Sequence, residues 1–216
     1  MIVKRPWRFI RNWGGLGNFV DSDCVVAAYF HILMALAVLN GSTFKKILYR
    51  LGFRVPHTPF ALKEYTAYLA TLGQKPGPES GVGVDGWLNW QKAQGNVLDW
   101  CYVGKPGQPV SESALRSAID NFGGVLGVGC LTDFAYRHSR KTWFLRTGDQ
   151  PDPSIGHALA LLDYNKAADR GVTWGHWQGM TIPYRELCFN ALLVFVHKDD
   201  PNAQLKLKIL QTMSSQ

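Results

Sequence analysis

The sequence predicts an α+β fold: an N-terminal helix carrying a cysteine, packed against a later antiparallel sheet carrying a histidine. Three observations predict it. Helical patterns dominate the first half of the chain and strand patterns the second. One early helix is apolar nearly all round, as a central helix must be. No Pro/Gly-rich or charged linker is long enough to require two independent domains.

The elements follow in order. Residues Ser22 to Asn40 read as the central helix, with Asp21 or Ser22 as cap and Asn40-Gly41 as stop. A second helix, Ser42 to Leu51, carries Phe44, Ile47, Leu48 and Leu51 at helical spacing. A third runs from about Phe60 to Leu72. The stretch "GQKPGPESGVG" is a loop, and a short helix spans Asp85 to Gln94. "NVLDWCYV" then reads as a strand. "VSESALRSAIDNFG" reads as a helix capped by Ser111, with a buried stripe of Leu115, Ile119 and Phe122 and a glycine stop. "GVLGVGCL", "GHALALLDYN", "GVTWG" and "NALLVFVHK" are strands, with a short helix around Pro183 to Phe189 before the last. Residues 1–198 thus form one domain: a strap (1–17), a helical half (18–95) and a sheet half (96–198). Residues 199–216 read as a polar, loosely held tail.

The chain has 216 residues, 46% of them hydrophobic, which suffices for a sizeable core. Its net charge of +7 permits attraction to anionic partners but names none. The densest basic group, Lys4, Arg5, Arg8 and Arg11, is interleaved with Trp7, Phe9 and Trp13. It reads first as a strap whose aromatics pack on the body, and only second as a contact for RNA or a capsid partner. Nucleic acid ranks low, because no recognition motif accompanies the charge. No apolar stretch and cleavage site follow the basic first residues, so secretion by a signal peptide is not expected. No run approaches the ~20 apolar residues of a membrane span. The four cysteines, Cys24, Cys101, Cys130 and Cys188, form no CxxC pair. A zinc cage, any other metal and any cofactor are therefore not expected, and a reducing compartment is. The location expected is cytoplasmic or virion-associated.

Cys24 stands in the first turn of its helix, where free backbone N–H groups and the macrodipole favour a thiolate. Asp21 and Asp23 oppose that by like charge unless they face away. A nucleophilic cysteine needs a base. His31 is two turns further on, at ~10 Å from a rise of ~1.5 Å per residue, and so reads as a core or supporting histidine. His157 opens the strand "GHALALLDYN", where an imidazole can point from a sheet edge to a helix N-terminus.

The order of these features resembles the papain-like cysteine peptidase superfamily, and in particular its compact bacteriophage and bacterial members. "GHALALLDYN" is similar to the histidine strand of that family, and "VTWG" to the later strand whose Trp-Gly follows the third catalytic residue. Trp13, Gly14, Gly17, Asn18, Asp23, Cys24 and His31 match the segment that leads into the cysteine helix. "FGGVLGVGCL" and "MTIPYRELCFNALLVFV" also look like that group, so the resemblance runs with gaps from Trp13 to Val196. It implies Cys24 as nucleophile, His157 as general base, and Asn18 with the Cys24 N–H as oxyanion donors. Gly17, Asp23, Gly156 and Trp174 would border the substrate. The third position departs from the family: it falls on Val172 by alignment on Trp174 and on Thr173 by counting from His157. Valine cannot accept a hydrogen bond, whereas threonine can, weakly. Asp163, ~20 Å along the same strand at ~3.3 Å per residue, cannot touch His157.

The function this implies is a cysteine hydrolase (a thiol protease or amidase) acting on a peptide or protein substrate. The missing orienting group, the basic surface and the aromatic N-terminal segment support an alternative. In that reading the fold is a structural or binding component, for example a minor phage virion protein among other phage structural proteins.

Overall fold

The computed structural model of the protein describes residues 23–40, 57–130, 150, 152–154, 156–162 and 189–214. Its elements are α1 (Cys24–Asn40), α2 (His57–Thr71), α3 (Val84–Ala93), β1 (Val97–Tyr102), α4 (Glu112–Phe122), β2 (Val125–Cys130), β3 (Gly156–Leu161), β4 (Phe189–His197) and α5 (Ala203–Ser214). The expected elements at Ser42–Leu51, "GVTWG" and Pro183 onward lie outside the described residues, as does the strap 1–17.

The four strands form one antiparallel sheet in the order β1-β4-β2-β3. β4 therefore lies inside the sheet, and β1 and β3 are its edges among the described strands. Strand alternation divides the side chains between two apolar layers. Leu126, Ala158, Ala160, Leu193 and Phe195 join α1, α2 and α3 in one. Val125, Leu159, Leu161, Leu192 and Val194 join α4 and α5 in the other. Helices thus cover both faces. Alternating apolar residues on both faces of these strands each need such a cover.

α1 is the central helix, as its composition requires. From Val25 to Leu36 every side chain but Leu33 is buried, His31 included. Its sheet-facing side is admitted by small residues. A Cβ on Gly124 would come within 2.8 Å of Leu162 and 3.2 Å of Ile32, and one on Gly123 within 2.8 Å of Leu36. Gly123 also ends α4 with φ +82°, a left-handed conformation that glycine adopts without steric cost. At the other end of α4 the Ser111 hydroxyl accepts from the Ala114 N–H at 3.2 Å, the expected cap. Tyr29 of α1 packs its ring 4.8 Å from Phe195 of β4 and 5.7 Å from Trp87 of α3, tying three elements together.

The segment expected to be a loose polar tail is instead α5, a helix docked on the second layer through buried Leu210. Its anchor is ionic. Lys206 and Asp200 are 7% and 8% exposed, and the Lys206 ammonium donates to the Asp200 carboxylate at 2.5 Å and to the Phe122 carbonyl at 3.0 Å. That carbonyl belongs to the last turn of α4, where a cation is favoured. Removing one partner strands the other charge in the interior. We expect Lys206→Ala to lose about 3–5 kcal/mol in urea denaturation, and the pair Lys206→Met with Asp200→Leu to recover most of it. Gly124→Ala should cost about 1–3 kcal/mol by the same measurement, through overpacking against Ile32 and Leu162.

Candidate functional site

Cys24 is the first residue of α1. The helix begins with the Ala27 N–H donating to the Asp23 carbonyl at 2.9 Å, so the amides of Cys24 and Val25 have no carbonyl one turn back to bond. Both are directed at the Cys24 sulfur. A third donor comes from the sheet, the Ala158 N–H. The amide of Ala158 thus meets the thiol at the start of α1.

Ala158 is the residue after His157. The fold therefore brings the mouth of the central helix against the head of the histidine strand, although the two segments are far apart in the chain. His157 stands opposite Gly129 of β2, and Gly156 opposite Cys130. Gly156, Ala158 and Ala160 share the strand parity that faces α1, whereas His157 shares that of Leu159 and Leu161, which faces α4 and α5, so the strand brings the Ala158 backbone and not the His157 side chain to Cys24. Gly156 is exposed, and a side chain added there would meet no described atom within 4 Å. Ala158 is the participant that sequence reasoning missed. Its signal was weak, because a backbone amide carries no residue type.

The electrostatics correct one expectation. Desolvation by burial raises the Cys24 thiol to about 11, against the hydrogen bonds from Ala158, Val25 and its own N–H. Asp23, wholly buried at the helix start, adds its negative charge to the upward shift. Desolvation also lowers the His157 imidazole to about 3. At neutral pH the site thus holds a thiol and a neutral imidazole, not the thiolate that the helix end alone would favour. Asn18, Gly17, Thr173 and Trp174, with Val172, lie outside the described residues. Among the described residues no group of three His, Cys, Asp or Glu side chains is placed to hold a metal ion, and no helix is long and apolar enough to cross a membrane.

Comparison with protein-family models, with characterised proteins and with solved structures found no match.

The displaced histidine has a thermodynamic consequence. Its folded-state pKa lies below the ordinary 6.5, so the unfolded chain binds the proton first as pH falls. The contribution is fully present above pH 6.5 and is lost progressively from there down to about pH 3. The thiol acts at the other end: its raised pKa costs stability as pH climbs from 9 to about 11. Thermal melts at pH 7 and pH 4.5 should show a smaller drop in Tm for His157→Asn than for the wild type. An equal drop would mean that His157 titrates normally in the folded protein.

Proposed function

We propose that this protein is a papain-like cysteine hydrolase that cleaves a peptide or amide bond, with Cys24 as nucleophile and His157 as base. The observation that carries the reading is the juxtaposition of the thiol at the start of α1 with the head of β3, through the Ala158 amide. The chemistry follows from the neutral pair. On this reading His157 takes the thiol proton as sulfur attacks the carbonyl and returns it to the leaving amine; because β3 turns its side chain to the α4–α5 face and burial lowers its basicity, the step requires substrate binding to bring the imidazole round to Cys24 and to raise its proton affinity. The Cys24 N–H at the helix mouth would donate to the developing oxyanion, with Asn18 as the second donor. Water then hydrolyses the thioester. Gly156, two residues before Ala158 and with no described atom within 4 Å of an added side chain, would leave room for the substrate chain.

A second reading is favoured by one specific observation, the neutral resting state. A thiol raised to about 11 is not primed in the free protein, as suits a papain-like scaffold kept for binding, for example in a phage virion. The two readings separate in one experiment. A panel of peptidyl vinyl sulfones is incubated with the protein at pH 7.5 and adducts are located by peptide mass spectrometry. The hydrolase reading expects one adduct at Cys24, absent in Cys24→Ser and slowed about 100-fold or more in His157→Ala. Gly156→Phe should retain the wild-type Tm yet lose most of the labelling. Reaction at Cys24 that is indifferent to His157→Ala, or no reaction from any peptide sequence, would sink the hydrolase reading and leave the scaffold.

A further inference from the structure

The second face of the sheet, away from α1 and Cys24, carries a cleft of about 770 Å³ between α4, α5 and the end of β1. That volume falls in the range of small-molecule sites, about 300–1,000 Å³. Cys101, a residue 8% exposed, lines it. One wall is α4, where Ala114, Ser117, Ala118 and Asn121 recur on one face and are all too small to fill the space. The opposite wall is α5, with Ile209, Met213 and Ser214. Lys105, in the loop after β1, is the one charged residue among the described residues of the lining, and no carboxylate stands there.

We infer that this cleft binds a small amphipathic anion, an apolar body of medium length with a carboxylate head. The apolar body suits the space between the α4 stripe and the side chains of Ile209 and Met213. The sign of the head group follows from Lys105 at the rim, which has no acidic neighbour in the cleft to neutralise it. Ser117 and Asn121 are joined at the mouth by a hydrogen bond of 3.2 Å from the Asn121 amide, which leaves the Ser117 hydroxyl proton and the second amide proton to face an anion. The Ser214 hydroxyl donates to the Leu210 carbonyl at 3.0 Å and stands within reach of the Cys101 thiol, so this part of the lining is polar but uncharged. This site lies on the other face of the sheet from Cys24 and does not depend on the hydrolase reading.

Cys101 supplies the assay. N-ethylmaleimide is added to the full-length protein at pH 8 with octanoate, octanol or acetate as the probe, and the labelling rate of Cys101 is followed by peptide mass spectrometry. Octanoate should slow labelling about fivefold once it reaches about four times its Kd. Acetate should not protect, and octanol should protect far less than octanoate. Lys105→Glu, in an exposed loop, should abolish the octanoate effect while leaving the unprotected rate unchanged. Ser117→Trp, at an exposed position that fills the mouth, should slow labelling without any ligand. Equal protection by octanol and octanoate, or protection that survives Lys105→Glu, would overturn the anion assignment. No protection by millimolar octanoate together with an unchanged rate in Ser117→Trp would overturn the site itself.

Discussion

The structure depends on how closely α1 approaches the sheet. An α-helix buried on every side cannot keep a polar face, and α1 keeps none: its described surface from Val25 to Leu36 is apolar or wholly enclosed. Such a helix must be surrounded, and the surrounding pieces must be small where they touch it. Gly123 and Gly124 let Leu36 and Ile32 into the α4–β2 turn, and Ala158 and Ala160 supply a flat strand beneath the helix. The same approach fixes the position of Cys24. Once α1 lies along β3, its first residue has to meet the head of that strand, and the amide of Ala158 becomes a neighbour of the sulfur.

That approach has an electrostatic cost. A helix N-terminus favours an anion by about 0.3–1 kcal/mol, and by up to ~2 where partly buried, whereas taking a charge out of water costs several. At Cys24 the second effect wins, and the buried carboxylate of Asp23 pushes in the same direction. His157 follows the same rule with the opposite sign. Each of the two groups keeps its neutral form over the whole physiological range.

Much of the local structure was legible in the sequence, for reasons that can be traced residue by residue. Ser111 and Gly123 bracket α4 because a hydroxyl acceptor and a left-handed residue are what those helix ends require. The uninterrupted apolar run of α1 could only be a core helix. α5 was misread because its anchor is charged: Lys206 looks like a solvent residue until Asp200 and the Phe122 carbonyl, far away in sequence or held by a turn, come around it. With Lys206 taken as polar, Leu207, Leu210 and Met213 lost the weight of their helical spacing. The layering of helices on both faces was equally hidden, since it depends on which neighbours each strand acquires. At the site, the residue types at Cys24 and His157 were readable, but the depth of their burial was not. That depth is a property of everything packed around them.

The position of β4 adds a constraint on the order of assembly. It follows the other three strands along the chain, yet it lies between β1 and β2, pairing Val97 with His197 and Leu126 with Leu193. A nascent chain that has reached Leu162 already contains Cys24, His157 and three of the four described strands, but among these β1 has no partner and both apolar layers lack their middle. Closing such a sheet joins segments of high sequence separation, a slow class of folding event. Translation thus acts as a timer: the thiol is made early, but its surroundings are completed only after β4, the eighth of the described elements, has been threaded into place.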